Sequence, residues 1–246
     1  MDGIVLLCTE EKGVPQAEEE WRAALTNFTT LYAKSFDLKG LWETKDQILA
    51  IKYLTKIITV EGWSESVVHL VFTCIKIICR YQSNVRSVSP PETLAHVLAY
   101  VSKDGIDDKT RFEGLCVVLN ILIINQRTNL DAFKNGLESF PCLLQLYATA
   151  DVESQYVVGR ILFYVALDDP LTEVFIEKGL VKTLVEEIVR DTNFKKEFEG
   201  FVDPESEESR LKRRRVAWAL KILFNILMET KRPRMDTVHN YICYFI

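Results

Sequence analysis

The chain has 246 residues, 48% hydrophobic and 26% charged, enough to bury a sizeable core and too apolar for overall disorder. A formal net charge of −5 excludes the broad basic footprint a nucleic-acid-binding fold needs, and leaves a local basic strip as a signal for a carboxylate or an acidic partner. Ten Gly and seven Pro are too few for the tight turns of an all-β sandwich, so helices are expected.

The N-terminus carries only the short apolar stretch Ile4 to Cys8 before Glu10 and Glu11, without the basic start and long apolar region of a signal peptide. Residues 16–33 and 45–60 have helical spacing, the second through Ile48, Ile51 and Ile58, with Gly62 placed to cap its end. Val67 to Arg80 predicts the first nearly all-apolar helix. At Ser89-Pro90-Pro91-Glu92 a capping residue, a proline at the first helical position and a glutamate three after the cap start a helix over 90–101. Asp104-Gly105 and Asp107-Asp108 mark a turn, and 109–126 is a second buried helix. Its apolar run Leu115 to Ile124, interrupted by Asn120, is about half a membrane span.

Two later segments repeat a phrase: Phe133 to Gly136 followed by a helix from Pro141, and Phe175 to Gly179 followed by a helix from Thr183, with Asp169-Pro170 starting the short helix of the second. A short helix ending on glycine and a longer amphipathic one following at once make three helices per repeat, the armadillo pattern rather than the two-helix HEAT pattern. Residues 191–212, with Asp203-Pro204 and a dense run of carboxylates, read as a charged flexible insertion. The segment His239 to Ile246 is aromatic and apolar, whereas a solenoid normally ends on a polar outer face. The sequence is therefore expected to be a single repeat array over 1–246, truncated at its C-terminus.

A five-residue phrase recurs at Lys76–Arg80, Cys116–Asn120, Arg160–Tyr164 and Lys221–Asn225, in steps of 40, 44 and 61 residues. Three apolar residues separate two outer, mostly polar positions that lie four apart and so share a helix face. A helix apolar nearly all round but for one polar line is buried on most sides and shows one strip. The expected fold is an all-α, right-handed armadillo/HEAT-like helical-repeat solenoid whose strip lines a concave face. The candidate partner-binding residues are Lys76, Arg80, Asn120, Arg160, Tyr164, Trp218, Lys221 and Asn225. Asn offers donor and acceptor to a peptide backbone, and Lys and Arg offer charge to a carboxylate. Each could equally be a solvated residue of its own helix, and Cys116 departs from the polar pattern. Trp218, three before Lys221, either walls a groove for aliphatic side chains or packs in the core.

The six cysteines form no C-x-x-C pair, and with only His69, His96 and His239 scattered along the chain neither zinc nor any other metal or cofactor is expected. No phosphate loop, zinc-hydrolase motif or nucleophile elbow is present, so the chain is not expected to be an enzyme. Lys212 to Arg215 reads as the solvated start of a helix, in preference to an import signal or a phosphate contact, and Lys231 to Arg234 is read the same way.

Leu119-Asn120 and Phe224-Asn225 within their buried helices look like armadillo third helices, as in importin-alpha and beta-catenin. The runs Ile75–Arg80, Arg160–Ala166 and Ala219–Leu227, the last just after the charged insertion, resemble more closely the first half of the synembryn family, over roughly residues 20–230. That family comprises chaperones and guanine nucleotide exchange factors for heterotrimeric G-protein alpha subunits. The resemblance implies that a concave face holds the C-terminal helix of the alpha subunit and favours GDP release. It also implies that Lys76, Arg80 and Asn120 contact that helix and its terminal carboxylate, with Lys76 standing where arginine is expected. Family members continue for further repeats, so peptide binding is the function most expected here. A generic armadillo adaptor for an extended peptide, as importin-alpha is, is the alternative. No nucleic acid and no membrane insertion are expected, and the cysteine usage suits a cytoplasmic protein.

Overall fold

The computed structural model describes residues 2–9, 17–35, 45–80, 91–124, 140–191 and 206–228, and no strand occurs among them. The described helices are α1 (Asp2–Thr9), α2 (Glu18–Tyr32), α3 (Lys45–Thr59), α4 (Glu65–Ile78), α5 (Pro91–Val101), α6 (Asp108–Ile124), α7 (Phe140–Thr149), α8 (Val152–Val165), α9 (Asp169–Glu177), α10 (Leu180–Asp191) and α11 (Glu207–Met228). They fall into two compact units, Met1–Ser139 and Phe140–Ile246.

In the first unit the helices alternate between two layers. α1, α3 and α5 pack in succession, α2, α4 and α6 do the same, and α1–α2, α3–α4 and α5–α6 tie the layers together. α2 buries Trp21, Leu25 and Phe28, a stripe at four- and three-residue spacing facing the core. α4 buries Val67, Val68, Val71, Phe72, Cys74, Ile75, Ile77 and Ile78 because α2 and α6 flank it and α3 backs it. This is why its sequence is apolar nearly all round. Polar fastenings make the even helices parallel. At the start of α4, Ser64 donates its hydroxyl to Glu18 Oε1 (2.6 Å) and its N–H to Oε2 (3.2 Å). At the other end, Arg80 donates to the carbonyls of Tyr32 (3.3 Å), Ala33 (2.7 Å) and Ser35 (3.2 Å), closing the carbonyl end of α2 with a cation. The Ser64 hydroxyl, with Arg22 beside it, holds the Glu18 carboxyl below the ordinary 4.5. Asp107 N–H donates to Glu65 Oε1 at 2.7 Å, aligning the starts of α4 and α6. Close approach of α6 depends on Gly114, where a Cβ would lie 2.5 Å from Val101 Cγ1 and 3.0 Å from Phe72 Cε2.

In the second unit α8 packs on α7 and α11, α10 packs on α11 and α7, and short α9 packs on α10. The expected three-helix rhythm is present in α9, α10 and α11. Asp168 caps α9, its Oδ1 accepting from Leu171 N–H at 3.1 Å. Gly179, at φ +95°, takes the left-handed turn that lets α10 start at once. Asp151 caps α8 by accepting from Glu153 and Ser154 N–H, both at 3.0 Å.

Some expectations meet a different outcome. The short apolar stretch near the N-terminus forms helix α1 and buries Ile4, Leu7 and Cys8, because packing on α2 and α3 supplies what eight isolated residues lack. Of the segment read as a charged insertion, Asp191 ends α10 and residues 207–212 open α11, while 192–205 lie outside the described residues. Ser206 explains the early start: its Oγ accepts from Ser209 N–H at 3.1 Å, a cap ahead of Glu207 and Glu208. Arg215 is not a solvated residue. It is 4% exposed and pairs with Glu187 of α10 at 3.3 Å and with Gln155 of α8, two groups that are themselves buried. The Ser89-Pro90 cap, the first glycine phrase, Lys231 to Arg234 and His239 to Ile246 all lie outside the described residues.

Candidate functional site: the polar strip and the α8–α11 cluster

Each recurring phrase sits on a strip helix: α4, α6, α8 and α11. Lys76, Arg80, Asn120, Arg160, Tyr164, Trp218 and Asn225 are half-buried and Lys221 is exposed, while the apolar residues between the outer positions are mostly buried. The two units place their strip residues in different chemical settings.

In the first unit the cations have partners within the protein. Lys76 Nζ lies 2.6 Å and 2.5 Å from the two oxygens of Glu113 on α6. Both side chains are largely covered, at 23% and 15% exposure, so this is a shielded pair rather than a surface one. Arg80 caps α2, as described. Glu113 was missed in the sequence, although it lies three before Cys116 and therefore on the strip face of α6.

In the second unit α8 and α11 bring Arg160, Trp218 and Lys221 together. The indole of Trp218 lies edge-on to Phe163, with centroids 5.1 Å apart. Lys221 Nζ stands 4.3 Å from the indole centroid, and the Arg160 guanidinium carbon lies 5.9 Å from it and equally 5.9 Å from that of Tyr156. Tyr164 meets Phe163 at 5.6 Å. Gly159 opens the space: a Cβ there would meet Tyr147 Cε2 at 3.2 Å and Trp218 Cβ at 3.7 Å. Asn225, one turn beyond Lys221, completes the same face of α11. Tyr156 and Phe163 are the members sequence reading passed over. Tyr156 lies one turn before Arg160, at a position that also faces the strip.

Two atoms of this cluster set its chemistry. Arg160 Nε and Asn225 Nδ2 are buried N–H donors without an acceptor. An unmet buried donor carries the full desolvation cost of the group, which a ligand oxygen would relieve. The cluster thus combines unmet donors, positive charge and an aromatic wall, the complement of a carboxylate or carbonyl next to an aliphatic side chain. Among the described residues no group of His, Cys, Asp and Glu could hold a metal ion, and no helix is long and apolar enough to cross a membrane.

Layered helices carrying one polar strip at a common register define an all-α helical-repeat solenoid of the armadillo type. Solved structures agree on the fold. A computationally designed armadillo repeat protein for modular peptide recognition is similar over 97% of this chain and 86% of its own, at a TM-score of 0.69 and 14% identity. A second designed armadillo repeat protein matches over 91% of this chain and 82% of its own, at 0.62 and 15%. A third, in complex with the peptide (KR)4, matches over 99% of both chains at 0.59 and 14%. No curated protein matches significantly. The chain belongs to the family described as guanine nucleotide exchange factor synembryn, which matches residues 71–243, more than half of its length.

Proposed function

We propose that this chain binds the C-terminal helix of a heterotrimeric G-protein alpha subunit and, by holding the helix away from the nucleotide domain, favours GDP release and an open state. Family membership supports the partner class. The observation that carries the mode of binding is the α8–α11 cluster, where Arg160 Nε and Asn225 Nδ2 lack acceptors beside Trp218 and Lys221. A terminal carboxylate or the last free carbonyls of a helix would meet both donors, and an aliphatic side chain next to them would lie on the indole. No acid, base or nucleophile is needed for this reaction. Exchange follows from tighter binding to one state of the partner, which shifts its population by the difference in affinity. Lys76, Arg80 and Asn120 join the same strip in this reading, but Glu113 and the end of α2 already engage the two cations. Their weight in recognising a carboxylate is therefore smaller than that of Arg160 and Lys221.

An adaptor for extended peptides is the second reading. The neighbour in complex with (KR)4 holds a basic peptide. Arg160 and Lys221 give this cluster the opposite preference.

Calorimetric titration with a peptide copying the C-terminal end of an alpha subunit tests the proposal. Charge reversal Lys221→Glu, truncation Trp218→Ala and amidation of the peptide terminus should each weaken binding about tenfold, the weight of one charge-assisted bond or aromatic contact. Lys76→Glu should weaken it less. Equal affinity for free-acid and amidated peptides, with no effect at Lys221 or Trp218, would remove the carboxylate-capture mode and favour the adaptor.

A further inference from the structure

The register of the repeated phrase exposes a second surface on α11, on the side turned away from α8. Counting from the first strip position of each phrase, the residue one before and the residue three after face the strip helix that follows. In α8 these are Gly159 and Phe163, and both meet Trp218 of α11. Their equivalents in α4 are Ile75 and Cys79, each 0% exposed, and in α6 Leu115 and Leu119, at 0% and 3%. The equivalents in α11 are Leu220 and Phe224, which are 52% and 60% exposed. A helical projection puts exposed Arg213 and Ala217 beside them on this face, with exposed Arg210 and Arg214 next to it. Glu207, one turn before Arg210, is an exposed carboxylate at its edge.

We propose that this outer face of α11 docks an acidic amphipathic helix of another protein, one with a large apolar residue that seats between Leu220 and Phe224 as Trp218 seats against Gly159 and Phe163. Its carboxylates lie one to two turns towards its N-terminus if it runs parallel to α11, opposite Arg213 and its neighbours. Charge complementarity selects this occupant over two others. A second copy of this chain would bring the same arginines against each other. Residues 229–246 carry Lys231, Arg232 and Arg234 against only Glu229 and Asp236, and so repel the arginine end rather than neutralise it. The surface is separate from the Trp218 cluster, and its occupancy does not depend on alpha-subunit binding.

The test is fluorescence-anisotropy titration of the full chain with two labelled, stapled helical peptides that share one apolar stripe, one flanked by glutamates and the other by lysines. The glutamate peptide should bind, with affinity falling at higher salt, and the lysine peptide should not. Leu220→Ser with Phe224→Ser should weaken binding at least tenfold, as should Arg213→Glu with Arg214→Glu, while Trp218→Ala leaves it unchanged. All these side chains but Trp218 are exposed, and melting curves confirm that each variant is folded. Equal binding of both peptides, or indifference to the Leu220 and Phe224 substitutions, would overturn the proposal. So would a dimer in the unmodified chain that dissociates on those substitutions, or a disulfide formed within one chain between Leu220→Cys and native Cys243. These outcomes assign the face to a second copy and to the chain's own residues respectively.

Discussion

Replacing Arg215 by alanine measures the ionic group buried in the second unit. Arg215 and Glu187 are 4% and 3% exposed, and the guanidinium also reaches Gln155. Removing one partner of such a pair costs about 3–5 kcal/mol, chiefly because the other charge stays buried without compensation. Arg190, half-exposed at 52%, still pairs with Glu187 after the substitution, so the lower end, about 3 kcal/mol, is expected. In a unit of this size that corresponds to a fall in melting temperature of about 12–20 °C. Calorimetry and urea denaturation of the full chain would measure it. Arg215→Met combined with Glu187→Leu should recover most of the loss, since an apolar pair of similar volume does not carry the desolvation cost of the ions. A loss below about 0.5 kcal/mol for Arg215→Ala, or a double variant as unstable as the sum of the single ones, would refute the reasoning.

Gly114→Ala should destabilise the first unit by about 1 kcal/mol or more in urea titrations. Crowding against Val101 and Phe72, both 0% exposed, costs about 1–3 kcal/mol and outweighs a helix-propensity gain of about 1 kcal/mol. Burial pushes the Cys8 and Cys79 thiols up to about 12 and raises Cys74 as well, while Cys116 and Cys142 are half-exposed. A time course of iodoacetamide labelling at pH 8, read by mass spectrometry, should therefore modify Cys116 and Cys142 before the three buried thiols. The Glu18 carboxyl is held below its ordinary 4.5, so its contribution to stability is present above that pH and is lost as pH falls through the lower folded-state value. Glu18→Gln should flatten the acid limb of the stability curve below about pH 4.5, and an unchanged limb would assign it to other carboxylates.

Local chemistry alone determined the helix-rich class, the boundaries of α2 to α6 within a residue or two, the short α9 ending on Gly179 and the four strip helices. Each rests on a signal that the chain carries with it, such as apolar spacing, a capping side chain or a glycine able to take positive φ. The recurrent phrase also made the strip legible, because identical register on helices forces identical direction. The tertiary structure decided what each strip residue does. Lys76 and Lys221 occupy equivalent positions in the sequence, yet one meets Glu113 from a neighbouring helix while the other stands over Trp218. Arg215 looked like one of four solvated cations until the packing of α8 and α10 surrounded it. The cap of α2 by Arg80 joins residues 45 to 48 positions apart. Helix propensity and periodicity act within a few turns, whereas burial and ion pairing depend on which distant helix arrives alongside, and a single helix's pattern does not encode its neighbour's charges.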